Sequence, residues 1–131
     1  EMLERGVNVC IGHDSIMDPW YPLGKGSMLQ AANLLLHYAH LSGYDQIYEL
    51  YDMITDYSAK TLNIHHDYGI EIGKSADIII LNAKDEMDAI RLMPECLYVI
   101  RRGNIVVTTK PAKCELLLDG GKEHIDFLIR R

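Results

Sequence analysis

At 131 residues the chain is long enough for one or two small units with a buried core. Hydrophobic residues make up 48% and charged residues 24%, with only 4 prolines, which excludes the disordered and collagen-like classes. The formal net charge of −6, from 13 basic and 19 acidic side chains, argues against a surface that tracks phosphates or anionic headgroups, so neither nucleic acid nor a membrane is an expected partner.

In chain order, the run Gly-Val-Asn-Val-Cys-Ile (6–11) predicts a short strand, because Val7, Val9 and Ile11 are β-branched and Gly12 ends the run. Residues 13–26 carry Asp18-Pro19, Tyr21-Pro22 and Gly24-Lys25-Gly26, turn chemistry that predicts a long loop with an aromatic centre. Ser27 is placed to cap a helix running through Met28, Leu29, Ala32, Leu35 and Leu36 to Leu41, with Gly43 as its stop. Its apolar residues fall on most sides, which predicts burial on more than one face. A second helix is expected from after Asp45 to about Leu62, with Ile47, Leu50, Tyr51 and Ile54 on one side, acidic residues early and Lys60 late.

From Tyr68 the pattern turns to short β-rich runs broken by Gly and Pro. Strands are predicted over 76–82, 97–102, 104–109, 114–118 and 124–129, with Arg102-Gly103-Asn104 as a hairpin turn. The expected organisation is therefore α/β, divided into 1–66 and 67–131.

No apolar run approaches the roughly 20 residues needed to span a bilayer, and the opening Glu-Met-Leu-Glu-Arg does not read as a secretory signal. Cys10, Cys96 and Cys114 are widely spaced with no CxxC pair, which suits free thiols in a reducing cytoplasm and offers no activated nucleophile.

For chemistry, the informative feature is His13-Asp14 directly after a strand. In a parallel α/β barrel that is where catalytic groups are presented, and a carboxylate there can bind a metal or move protons. On local pattern alone Asp14 reads more readily as a turn former, and Trp20 equally as plain packing. His37 and His40, three apart, have no further ligands nearby and read as helix-surface or core residues. His65-His66 reads as loop exit, and His124 as an exposed residue.

The stretch Gly6-Val-Asn-Val-Cys-Ile-Gly-His-Asp14, followed by Asp18-Pro-Trp-Tyr-Pro-Leu-Gly24, resembles the eighth barrel strand and following loop of the cytosine deaminases of the amidohydrolase superfamily. The likeness continues through Met28-Leu-Gln30 and Ser58-Ala-Lys-Thr-Leu62. Asp67-Tyr-Gly-Ile-Glu-Ile-Gly-Lys-Ser-Ala-Asp77-Ile-Ile-Ile-Leu81 is similar to the segment where these enzymes enter a small β-sandwich, and Arg101-Arg-Gly-Asn-Ile-Val-Val107 resembles the hairpin that follows.

The resemblance implies a fold made of the last strand-helix unit of a (β/α)8 barrel (1–66) plus the C-terminal part of the sandwich (67–131). It implies deamination of cytosine to uracil with release of ammonia, by a hydroxide that a divalent metal, iron or zinc, generates near neutral pH. Asp14 is then metal ligand and proton acceptor, Trp20 lines the pyrimidine pocket, and Ser15 stands beside the substrate where typical bacterial members carry a second Asp. That departure leaves room for another cyclic amidine, isocytosine or creatinine-like. The His-x-His pair and the other ligands such a site needs are not identifiable, so the expectation for the chain alone is no bound metal and no activity. Unpaired strand edges predict a homo-oligomer. The rival of another class is a non-catalytic structural or interaction protein that reuses this portion of the fold.

Overall fold

The computed structural model describes residues 1–118 and 121–125, with 118 and 121–125 described by backbone alone. Helices and strands are both present, and the apolar core lies among the helices. α1 (Met28–Tyr38), α2 (Tyr44–Ile54), α3 (Asp56–Thr61) and α4 (Glu86–Leu92) supply it. Leu29 and Ala32 of α1, Leu50 and Met53 of α2, and Ala89 and Ile90 of α4 are buried together, with Ile47, Tyr51 and Ile54 packed at their edge. The three-residue spacings in α1 and α2 put those pairs on one face each, and in α4 the adjacent Ala89 and Ile90 form the buried side.

Ser27 does occupy the N-cap of α1, although its hydroxyl makes no capping bond. The helix ends sooner than predicted. Leu41 donates its N–H to the carbonyl of Leu36 at 3.0 Å while His40 takes a left-handed φ of 54°, a Schellman ending with His in the place glycine usually fills. Gly43, expected as the stop of α1, instead begins α2, and its N–H donates to Gln46 Oε1 at 3.0 Å. Nor is α1 buried on several faces. Tyr38 is 88% exposed and Leu34 is exposed beside it, because no other described element covers that side.

The predicted single helix to Leu62 is two. Thr55 leaves helical geometry (φ −124°, ψ −96°), and its hydroxyl donates to the Tyr51 carbonyl at 2.8 Å, competing with the backbone ladder before α3 resumes. α4 is absent from the sequence prediction. It is capped by Asp85, whose Oδ1 accepts the Asp88 N–H at 2.9 Å. It is tied to α1 by Asn33 Nδ2, which donates to the Ile90 carbonyl at 3.2 Å. The Asp88 side chain, itself buried, takes two hydrogen bonds from the Arg91 guanidinium, at 2.9 and 3.1 Å.

β1 (Ile78–Leu81), β2 (Cys96–Arg101) and β3 (Asn104–Thr108) form an antiparallel sheet in that order, with Ile79 opposite Val99 and Arg101 opposite Asn104. The two residues between Arg101 and Asn104, Arg102 (φ 48°) and Gly103 (φ 77°), both have positive φ. This is the type I′ turn that matches strand twist, at the predicted place. Asp77 Oδ1 accepts the Arg102 N–H at 2.6 Å and the Ala76 carbonyl accepts that of Gly103 at 3.0 Å, so the entry to β1 clamps this turn. β4 (Cys114–Leu118) and β5 (Gly121–Ile125) form a separate antiparallel hairpin. The predicted last strand begins too late, and its part beyond residue 125, with the side chain of His124, lies outside the described residues.

One predicted strand is not formed. Residues 6–11 run without a ladder, since a strand exists only through a neighbour's amides and carbonyls and none of the described residues supplies them. They are pinned to the helices instead. Ile11 N–H donates to Met53 O at 3.2 Å, and Asn8 Nδ2 donates to Tyr57 O at 3.0 Å and Thr61 Oγ1 at 2.9 Å. No helix is long and apolar enough to cross a membrane among the described residues.

Candidate active-site loop

The loop between this extended segment and α1 holds all three candidate residues. Asp14, at its start, has a left-handed φ of 57°, a conformation Asp visits more readily than most side chains. Its carboxylate is exposed and takes no hydrogen bond from the described residues. The imidazole of His13 folds over the same turn, with Nδ1 2.9 Å from the Ser15 carbonyl oxygen.

Asp18 organises the next turn. Its Oδ1 accepts the N–H of Trp20 at 2.9 Å and of Tyr21 at 3.0 Å, an Asx turn, and its carboxyl also interacts with the Ser15 hydroxyl. The Tyr21 N–H, aided by Ser15 and Trp20, holds the Asp18 carboxyl below its ordinary value, against the opposing effect of desolvation. Ser15 and Trp20 are thus brought together through a shared partner. The Trp20 indole is 89% exposed, a bare aromatic face rather than a packed one.

At its exit the loop is held by α1. Gln30 accepts the Lys25 N–H at 2.9 Å and donates to the Leu23 carbonyl at 3.3 Å. Gly24 is packed against the loop entry, where a Cβ would lie 2.4 Å from the Ile16 carbonyl oxygen and 2.9 Å from His13 Cε1. Sequence reasoning named His13 only as the neighbour of Asp14, took Asp18 and Gly24 only as turn chemistry and gave Gln30 no role in the loop; the one local signal was the Asp18-Pro19 pair.

A groove of about 640 Å³ lies alongside, between residues 9–13, Tyr21 and the Leu34, Leu35 and Tyr38 face of α1. Asp14, Ser15 and Trp20 do not line it. The donor set does not fit a metal by itself. Among the described residues no three His, Cys, Asp or Glu side chains converge, so Asp14 is a suitable oxygen donor without companions. The thiols of Cys10, Cys96 and Cys114 are free.

Comparison with known proteins gives this loop its context. Residues 1–107 match the Amidohydrolase family. N-isopropylammelide isopropyl amidohydrolase of Pseudomonas sp. (strain ADP) is 36% identical over 107 residues, which are 82% of this chain and 27% of that protein. Among solved structures, 5-methylcytosine deaminase from Klebsiella pneumoniae liganded with phosphonocytosine matches with a TM-score of 0.79 at 37% identity, over 85% of this chain and 27% of that one. N-isopropylammelide isopropylaminohydrolase from Burkholderia multivorans matches with a TM-score of 0.75 at 26% identity, over 81% of this chain and 27% of that one. The chain therefore spans about a quarter of the length of these relatives. With most of its residues matched by the family, the chain belongs to the amidohydrolases.

Proposed function

We propose that this chain supplies one wall of the active site of a hydrolytic deaminase, which replaces the exocyclic amine of a pyrimidine-like cyclic amidine with oxygen, cytosine or its 5-methyl derivative first. The observation that carries this reading is the 37% identity and 0.79 TM-score with a 5-methylcytosine deaminase. In this reading Asp14 is the carboxylate that takes a proton from the attacking water and passes it towards the leaving amine, a role its exposed oxygens suit. The bare indole of Trp20 stacks against the flat heterocycle. Ser15, neutral where a second Asp would be anionic, shapes the polar edge of the pocket. Of the donors that a divalent ion such as iron or zinc requires, Asp14 is the one we assign to this chain.

A second substrate reading is favoured by the 36% identity with an N-isopropylammelide hydrolase: an N-alkylamino triazine, broken at the same kind of exocyclic C–N bond. We further propose the division at 66/67 into barrel-derived and sandwich-derived portions, a reducing compartment suited to three free thiols, and self-association through residues 6–11 and the exposed face of α1.

The test exchanges this chain for the matching stretch of the Klebsiella deaminase and follows ammonia release from cytosine, 5-methylcytosine and isocytosine, and amine release from N-isopropylammelide. Asp14→Asn is expected to lower kcat at least about 100-fold, the order of an acid–base contribution, and Trp20→Ala to raise KM. A working chimera indifferent to Asp14→Asn overturns the assignment.

A further inference from the structure

We propose that His13 is a positioning residue for the candidate active-site loop: its Nδ1–H, given to the Ser15 carbonyl, fixes the left-handed turn that presents Asp14. The inference deepens the hydrolase reading, on which the importance of Asp14 rests, but its geometry stands independently.

The bond runs from residue 13 to the carbonyl of residue 15, so it spans Asp14 at 2.9 Å and closes a ring around the residue whose φ is 57°. A carbonyl oxygen only accepts, and so Nδ1 must carry the hydrogen. In the neutral ring Nε2 is then a bare lone pair. That nitrogen is shut away from solvent and meets no hydrogen-bond partner among the described residues, so nothing else there selects the tautomer. Gly24 leaves the space that the ring fills, since a Cβ there would come within 2.9 Å of His13 Cε1.

From Ser15 the constraint passes onward. Its carbonyl is fixed by His13 and its hydroxyl interacts with Asp18, whose Oδ1 holds the amides of Trp20 and Tyr21. One ring thus sets the acid and, through two more residues, the backbone of the aromatic wall. A purely space-filling role would need neither ring nitrogen. Asn would meet the proposed need, because its side-chain amide nitrogen sits about where Nδ1 sits, whereas the amide nitrogen of Gln sits nearer Nε2.

The decisive measurement is a long-range ¹H–¹⁵N correlation spectrum of the 131-residue chain at mildly alkaline pH. His13 is expected to show a protonated Nδ1 and a bare Nε2, the tautomer that free histidine disfavours. A protonated Nε2 with bare Nδ1 overturns the proposal. Amide exchange at Trp20 and Tyr21 is the second readout: His13→Phe and His13→Gln should speed it at least about tenfold, and His13→Asn should keep it near the parent rate. Equal rates in all three variants also overturn the proposal. If His13→Phe does not fold, the parent tautomer and the Asn/Gln pair still decide. In the deaminase chimera the Phe variant should lose kcat about tenfold or more with KM little changed, restored by Asn. A chimera inactive with His13 intact, beside the expected tautomer and exchange pattern, would count against the hydrolase reading and leave the positioning role standing.

Discussion

Gly24→Ala offers a sharp test of how tightly the loop is closed. Neither Gly24 nor Gly12 has the positive φ that demands glycine, so alanine at either should stabilise by about 0.4–1 kcal/mol through the unfolded chain. At Gly12 no heavy atom lies within 4 Å of the new methyl, and that gain should appear in full. At Gly24 the methyl would stand 2.4 Å from the Ile16 oxygen and 2.8 Å from Ile16 Cα, backbone atoms that cannot swing aside as a side-chain tip does. Overpacking of this kind costs about 1–3 kcal/mol, which leaves a net loss centred near 1 kcal/mol and at most about 2.6 kcal/mol once the unfolded-state gain is subtracted. Urea unfolding would be followed by far-ultraviolet dichroism for the helices, and the loop by amide exchange at Trp20 and Tyr21, whose N–H groups Asp18 holds. The expected result is a lower midpoint for Gly24→Ala at unchanged slope, with faster amide exchange at Trp20 and Tyr21, and a slightly higher midpoint for Gly12→Ala. A Gly24→Ala midpoint that rises with that of Gly12→Ala would mean the loop opens freely and would refute the packing argument.

Further outcomes follow from the scaffold. Leu50, fully buried between α1 and α4, should cost about 2–5 kcal/mol when cut to Ala, enough to erase the helical dichroism transition at 37 °C in so small a core. Arg102→Asn should raise the melting temperature, because Asn tolerates the left-handed first position of the I′ turn better than Arg and keeps the N–H that Asp77 accepts. The Asp67 carboxyl is held below its ordinary 3.8 chiefly by the Ser75 hydroxyl, then by the Ser75 N–H. A depressed folded pKa contributes stability above the unfolded value and loses it as pH falls through the folded one. Ser75→Ala should therefore move the Asp67 titration upward in a carbon-13 NMR series and leave the neutral-pH fold unchanged.

What could be read in the sequence was whatever local chemistry decides. The turn at Arg102-Gly103 was legible because a two-residue loop with positive φ is the favoured join between such strands, and Ile78 to Ile80 because an unbroken β-branched run suits a strand. Residues 6–11, with Val7, Val9 and Ile11, also have strand propensity and form no ladder, since pairing needs a neighbour that propensity does not provide. Ending helix α1 at His40 was illegible, because histidine is a poor guess for a left-handed cap. α4 did carry a signal: Asp85 three before Asp88, then Ala89-Ile90, is cap followed by apolar face, overlooked beside the stronger strand runs. In the loop, the placing of Asp14, Ser15 and Trp20 outside helix and strand was legible from turn chemistry, while their roles were only what the resemblance implies. The His13 and Gly24 contacts were not, because they depend on the chain folding back from residue 24 onto residue 16.

The docking of α4 bears on the order in which the molecule assembles. β2 and β3 meet across two residues and can zip as soon as the I′ turn forms, whereas Ile80 finds Tyr98 only after the chain has gone out to the helices and back. Until Ile90 seats against Leu50 and Met53, that long loop has no anchor and its closure entropy opposes the first strand. Helix packing is thereby the gate for completing the sheet. Kinetically, Ile90→Val should slow folding in near proportion to its destabilisation, while Ile79→Val should act mainly on unfolding. Stopped-flow folding of the two variants that gave the reverse pattern would show the sheet assembling without the helix that links its first two strands.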